Sequence, residues 1–532
     1  MKNFKIPILI IVLIIGIVVG IQIEKVFSSD NLQESIKKFS DVLAYTNKYY
    51  VEEVDTHMLV ESAIKGMLNE LDPHSVYISP EELKFVEESF RGDFEGIGIE
   101  FQVVNDTLTV VSPISGGPSE ALGIRAADRI VKINGRDCIG ITNDQVREKL
   151  RGKAGTKVKI TVIRHGFENP IEYEITRDKI PLYSVDTGIM LDDVTGFISV
   201  ARFSETTYDE LTNELEELSS KGMKQLILDF RGNPGGYLSQ AVKIADLFLD
   251  ENKKIVYTSG RRKEFEEVFY ASEPSEYEQL PLIILINHGS ASASEIVAGA
   301  VQDWDRGLIA GETSFGKGLV QRQFELPDNS AIRLTVSEYY TPSGRLIQRD
   351  YRTKSKDEYY SEVNNEETEG NNMEHHTEED SSKPVFKTNS GRIVYGGGGI
   401  TPDFIVKQQE LTSYTTSLLS NNIFYRFVLN YLESNGDEIR KKYDDDLVKF
   451  NSDFNITDDL LDKLVKFASA SDVEFNEMEF KKDSDYIAVR LKAQIARTFW
   501  KNDGWYFVTA QSDKVIQKSL TLFQEAKDLA DL

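Results

Sequence analysis

Serine and lysine are the residue types between Asn287 and Gln321 that could do covalent chemistry together. The stretch reads NHGSASASEIVAGAVQDWDRGLIAGETSFGKGLVQ. An apolar run, Leu282–Ile286, precedes it and predicts a buried strand. Gly289 and the small residues Ser290 to Ser294 follow, and then Ile296, Val297, Ala300, Val301 and Trp304 recur at helical spacing. A strand that turns into a helix through small side chains lets a substrate approach the backbone. The free N–H groups of the helix start can hold a developing oxyanion. Three chemistries fit. One is a Ser-His-Asp hydrolase using His288, although the nucleophile-elbow pattern G-x-S-x-G is not met. The second is a phosphate-binding loop: Gly311–Lys317 fits G-x-x-x-x-G-K, but Gly318 stands where the magnesium-binding Ser or Thr belongs. The third pairs Ser292 as nucleophile with Lys317 as base. Lysine accepts a proton only when neutral, and apolar burial lowers its pKa by up to ~3–5 units. Phe315, Leu319 and Val320 flank Lys317, and no acid lies close to it in sequence.

The runs GSASASEIVAGAVQD and ETSFGKGLVQ closely resemble the C-terminal processing peptidases, also called tail-specific proteases. The resemblance implies that Ser292 is the nucleophile and Lys317 the general base. It makes Gln321, one helical turn further on, the residue that orients the lysine. In some accounts of the family an aspartate takes part, and it falls on Asp303, whose plain reading is a helix-end carboxylate. The family needs no metal or cofactor.

These groups need a framework. Phe197–Val200 and Leu226–Phe230 predict strands, Thr207–Leu218 an amphipathic helix, and Leu238–Leu249 another. Strand, glycine turn and helix make an α/β unit with its ligand side at the C-terminal ends of the strands. The turn, D-x-R-G-N-P-G-G from Asp229, matches the family's oxyanion loop. By that resemblance the N–H of Gly235 or Gly236, with that of Ala293, forms the oxyanion hole, while Asp229 and Arg231 brace the loop.

Residues 91–180 predict a small β-rich domain, with strands at Leu108–Val111, Arg129–Ile133, Val158–Ile163 and Ile171–Ile175 and one helix at Asp144–Leu150. The run GPSEALGIRAADRIVKINGRD resembles a PDZ domain, with Ala126-Ala127 where the family usually has Pro-Gly. Such modules add a peptide strand to a sheet edge and hold its C-terminal carboxylate on backbone N–H groups. The resemblance assigns that role to Gly96, Ile97, Gly98 and Ile99. The L-D-P-H-S turn at 71–75 and the G-G-I-T-P-D segment ending at Asp403 also resemble the tail-specific proteases.

The expected fold is therefore α/β and multidomain. Residues 1–29 form a signal anchor and 30–90 a helical region. Residues 91–180 form the inserted PDZ-like domain, and 181–351 with 391–409 the protease core. Residues 352–390 form an acidic insertion expected to stay unstructured, since 357–380 hold ten acids and no Lys or Arg. Residues 410–532 form a helical region in which Thr457 caps a helix.

The chain has 532 residues and a net charge of −26, which argues against nucleic acid as a partner. One cysteine, Cys138, excludes an internal disulfide, and the six histidines show no zinc-ligand spacing. Lys2 and Lys5 precede the apolar run Ile6–Ile23. About 17–25 apolar residues span a bilayer, and positive charges before them keep the N-terminus inside. The expectation is a single-pass cell-membrane protein with its catalytic part on the extracytoplasmic, periplasmic side. Together these readings point to a serine endopeptidase acting on exported proteins with nonpolar C-termini. An activating adaptor and a homodimer are further expected partners. The rival readings are a catalytically inactive PDZ-bearing scaffold and a nucleotide hydrolase.

Overall fold

A computed structural model describes residues 30–104, 106–364, 374–377, 383–407, 410–443 and 446–532. The anchor segment Ile6–Ile23 lies outside the described residues. Among the described residues no helix is long and apolar enough to cross a membrane.

The chain divides into two compact units, 1–77 and 78–532. In the first, helices Asp30–Tyr49 and Thr56–Asn69 precede a turn. Asp55 caps the second helix by accepting the N–H groups of His57 and Met58 at 2.9 and 3.2 Å. Asp72 ties the L-D-P-H-S turn, accepting the N–H groups of His74 and Ser75, each at 2.8 Å.

The second unit begins with helix Pro80–Arg91, started by a capping box between Ser79 and Glu82 and stopped by Gly92 at φ +82°. A six-stranded antiparallel sheet follows, containing Ile99–Val104, Thr107–Pro113, Arg129–Ile133, Lys157–Ile163 and Ile171–Thr176. Helix Asn143–Leu150 closes it, burying Val146 and Leu150 against Leu108, Val110, Ile130 and Ile160.

At the centre of the unit lies a seven-stranded sheet. Its order is Val185–Met190, Thr195–Val200, Gln225–Asp229, Leu282–Ile286, Leu308–Gly311, Phe404–Val406 and Glu374–His376. The five inner strands are parallel and the outermost pairings antiparallel. Parallel strands are covered on both faces, which is why LILD and LIILI are apolar without alternation. One face carries helices Thr207–Ser220, Leu238–Asp246 and Ala293–Asp303. The other is covered by helices Lys514–Leu520 and Phe523–Leu529, whose Val515, Ile516 and Phe523 pack on Phe197, Ile227, Ile283 and Leu285. The end of the chain thus belongs to the catalytic core. A second, antiparallel sheet holds the pairs Leu319–Glu325 with Ala331–Tyr340 and Lys254–Ser259 with Val268–Tyr270.

Helices from Ser413 to Ala510 build a core of their own around Phe424, Phe427, Phe450, Leu464 and Leu491. Thr457 does cap helix Asp458–Ser469, accepting the Leu460 N–H at 3.3 Å. The expectation of an unstructured 352–390 needs correction for the residues described. Lys356–Asn364 is a helix with Tyr359 fully buried, Glu374–His376 extends the central sheet, and Val385–Lys387 pairs with Ile393–Tyr395. Charge counting overlooked the apolar residues among the acids: Tyr359, Val385 and Phe386 supply what the acids do not.

Candidate active site

Two turns meet at the C-terminal ends of adjacent parallel strands. Strand Gln225–Asp229 ends in Phe230–Gly236, and strand Leu282–Ile286 ends in Asn287–Ser292. Asn287 Oδ1 accepts the N–H groups of Gly232 and Gly289 at 2.8 and 3.0 Å, and Ser290 Oγ donates to the Phe230 carbonyl at 2.8 Å. Asn233 is fully buried and pins one turn to the other. Its Nδ2 donates to the Val200 carbonyl at 2.7 Å, and its carbonyl accepts from Ala291 N–H at 2.9 Å and Ser294 Oγ at 3.0 Å.

Ser292 stands at the corner where this turn becomes helix Ala293–Asp303. Its φ of +56° and ψ of −109° lie where side chains are strained. Strain of this kind persists only where the surroundings hold it, and it is typical of functional sites. The corner is a sharp strand-to-helix turn although the G-x-S-x-G pattern is missing, because Ser290 and Ser294 are small enough to stand in for the glycines. Ser292 N–H donates to Glu295 Oε2 at 2.7 Å, and its carbonyl accepts from Tyr339 Oη at 3.1 Å.

The two oxyanion-loop glycines differ. Gly235 N–H donates to Asn233 Oδ1 at 2.9 Å, so this donor is already used. Among the described residues the N–H groups of Gly236 and Ala293 have no acceptor. Gly235, at φ +95°, lets the loop lie on the serine: a Cβ there would stand 2.8 Å from Ser292 Cβ.

Lys317 Nζ donates to Gln321 Oε1 at 2.9 Å. The expected helical turn between them is absent. Lys317 precedes strand Leu319–Glu325, whose pairing shifts register between Val320 and Gln321. Residues four apart in a regular strand lie about 13 Å apart, so the irregular backbone and two long side chains make the contact. Because a strand follows Lys317, the phosphate-loop reading of Gly311–Lys317 lacks the helix it requires.

Glu295, which the sequence reading passed over, joins the two halves. Its side chain is fully buried. Besides Ser292 N–H it accepts Ser314 Oγ at 2.5 Å and the N–H groups of Gly316 and Lys317 at 2.8 and 3.0 Å. Burial pushes its carboxyl above the usual range, against the opposing pull of these donors. The signal was present as S-x-x-E, a capping-box spacing from Ser292.

Ser292, Lys317, Gln321, Gly235 and Gly236 line one cleft of about 760 Å³, with Phe203, Leu238, Phe269, Ile296 and Leu319 as apolar walls. Helix Pro80–Arg91 adds Val86 and Phe90 to it. On another face of that helix Glu88 pairs with Arg151, the residue that ends the PDZ-like helix. Asp229 pairs with Arg231 at 2.7 Å, and Arg231 with Asp513 at 2.8 Å, bracing the turn Phe230–Gly236 from helix Lys514–Leu520. In the PDZ-like domain the N–H groups of Ile97 and Gly98 have no acceptor among the described residues. The Gly96 end of strand Asp93–Gly96 pairs with Asp178, and Ile99 opens the next strand.

Two sequence candidates fall outside the cleft. Asp303 ends the helix that Ser292 starts, about 16 Å along its axis. It pairs with Arg345 at 2.6 Å, both side chains fully buried, and accepts Ser343 N–H at 2.9 Å. His288 faces Glu312 at 3.9 Å, and among the described residues no hydrogen bond joins it to Ser292.

Comparison with known proteins then decides the family. A carboxy-terminal-processing protease of Bartonella bacilliformis is 40% identical over 325 residues, 60% of this chain and 74% of that protein. The chain belongs to the carboxy-terminal-processing protease family. The carboxy-terminal processing protease CtpA of Bacillus subtilis is 40% identical over 304 residues, 56% of this chain and 64% of that protein. Family profiles agree: Peptidase family S41 matches residues 194–354, a PDZ domain 109–164, and the activating protease CtpB N-terminal domain 20–82. Residues 414–501 match a family of unknown function, DUF8443. Among solved structures, a photosystem II D1 C-terminal processing protease is 31% identical with a TM-score of 0.33, covering 57% of this chain and 82% of that one. The family is one of serine-type peptidases carrying a PDZ domain.

Proposed function

We propose that the protein is an endopeptidase that uses Ser292 and Lys317 to cut exported proteins near their C-terminal tails. The observation that carries this reading is the shared carboxylate. Glu295 holds the N–H groups of Ser292 and Lys317 at 2.7 and 3.0 Å, so nucleophile and base are clamped to one buried group in one cleft.

Neutral Lys317 takes the Ser292 proton as Oγ attacks the scissile carbonyl. The N–H groups of Gly236 and Ala293 receive the oxyanion, and losing one such donor costs ~2.7–4 kcal/mol of barrier. Lys317 then protonates the leaving amine, and water hydrolyses the acyl-enzyme. Gln321 Oε1 keeps Nζ on this path.

The PDZ domain takes the carboxylate of a nonpolar tail on the N–H groups of Ile97 and Gly98. A homodimer is a further proposed assembly, and the exposed stripe Leu32, Ile36, Phe39 and Val42 on helix Asp30–Tyr49 is one surface it could bury. Ile6–Ile23 serves as the anchor that holds the catalytic part outside the cytoplasm. An adaptor that delivers substrate is a further partner.

The test is digestion of an unfolded casein by the full chain in detergent with a metal chelator. Cleavage by the parent that disappears in Ser292→Ala and in Lys317→Ala is expected. Cleavage that survives Ser292→Ala sinks the proposal.

A further inference from the structure

The loop that carries Lys317 is held from two sides. Glu295 accepts the Lys317 N–H at 3.0 Å on one side. On the other, Gln348 Oε1 accepts the N–H of Gly318 at 2.9 Å. Together these bonds fix the peptides before and after the lysine. Gln348 is itself nearly buried, and its Nε2 donates to the Arg349 carbonyl at 2.8 Å and to Tyr359 Oη at 3.2 Å.

Tyr359 comes from the acidic segment, not from the protease core. Its helix, Lys356–Asn364, is nine residues long and begins at Ser355, whose Oγ and N–H both bond Glu358. A helix this short is marginal alone and needs tertiary anchoring. Tyr359 is the anchor: it is fully buried in a chain segment otherwise rich in acids. Its ring meets Phe315 edge-on at 6.0 Å and Tyr351 at 6.3 Å, and Tyr360 meets Phe315 at 6.2 Å. These are the separations of attractive aromatic pairs. Phe315 lies in the lysine loop, and its N–H donates to the Ser290 carbonyl at 2.9 Å, inside the nucleophile's turn. The helix therefore touches the loop through the two ring contacts to Phe315 and the hydrogen-bond relay through Gln348.

We propose that Tyr359 is a positioning residue for the general base, acting through Gln348 and Phe315 to keep the Lys317 loop in register with Ser292. This rests on the Ser-Lys reading above. The hydroxyl fixes the Gln348 amide so that Oε1 faces Gly318, and the ring stops Phe315 from shifting. Helix Lys356–Asn364 is thus a working part of the active site, and undocking it lowers turnover.

The test uses the full chain, Tyr359→Phe and Tyr359→Ala, with casein turnover and amide hydrogen exchange over 315–318 as readouts. Tyr359→Ala is expected to lower kcat about tenfold with KM within about twofold, since small misplacements of catalytic groups cost rate, not binding. Tyr359→Phe loses less, and exchange over 315–318 rises in both. If Tyr359→Ala does not fold, Tyr359→Phe decides alone. Parent values of kcat and exchange in a folded Tyr359 variant overturn the proposal, as does a rise in KM alone. A parent whose cleavage survives Ser292→Ala overturns the catalytic reading instead, and exchange over 315–318 then decides whether Tyr359 holds the loop.

Discussion

Glu295 Oε2 accepts the backbone N–H of Lys317 at 3.0 Å and that of Ser292 at 2.7 Å. One oxygen therefore sets the spacing between two residues that are far apart in sequence. Glu295→Gln presents an amide N–H₂ or a single oxygen to donors that now meet two oxygens. The expected result is a loss of kcat on the order of 10²-fold, from misplacement of both groups. Leaving buried donors unsatisfied costs about 1–3 kcal/mol of stability as well. Turnover and urea denaturation of the variant check both, and a variant with parent kcat refutes the clamp.

Gln321 Oε1 accepts a hydrogen bond from Lys317 Nζ at 2.9 Å. Gln321→Ala removes the Oε1 acceptor and is expected to lower kcat about 10- to 100-fold while leaving the melting temperature near the parent's. Gln321→Glu places a carboxylate beside Nζ. A neighbouring negative charge favours the protonated amine and raises its pKa. The lower limb of the pH–rate profile therefore moves to higher pH. A limb that stays in place shows that Gln321 does not touch the working lysine.

Asp303 lies outside the cleft, and its packing predicts a structural role. Its pair with Arg345 is wholly buried, so Asp303→Asn leaves a buried guanidinium poorly matched. Breaking such a pair costs about 3–5 kcal/mol. Denaturation should show that loss, while the remaining folded enzyme keeps kcat within a few-fold of the parent. A large kcat loss at parent stability would return Asp303 to the active site.

Glu214 sets a pH dependence. Burial first, then the charges of Glu217 and Asp503, push its carboxyl up from 4.5 to about 7. Folding thus favours its protonated form. That contribution is complete below about pH 4.5 and is lost as pH rises through about 7. Melting temperature measured from pH 5 to 8 should fall less steeply for Glu214→Gln than for the parent. Identical slopes would show that the carboxyl titrates normally.

The sequence by itself determined the family and the residues that are candidates for its chemistry. Ser292, Lys317 and Gln321 lie in unbroken motifs, and the apolar runs LIL and LIILI, each followed by a glycine-containing turn and a helical pattern, read as covered strands of an α/β unit, so the core was legible from local pattern. The capping signal at Thr457 was readable for the same reason, since its bond closes within three residues. Tertiary structure decided what depends on distant partners. That Gly236 and not Gly235 keeps a free N–H follows from where Asn233 Oδ1 points. That Asp303 pairs with Arg345, in a later part of the chain, and lies outside the cleft is a matter of packing. Helix Lys356–Asn364 docks because Tyr359 finds Phe315 and Gln348, and residues after 510 belong to the core because they cover one face of the central sheet. Spacing along a chain shows which groups are available, but only packing shows which of their hydrogen bonds and charges are already taken.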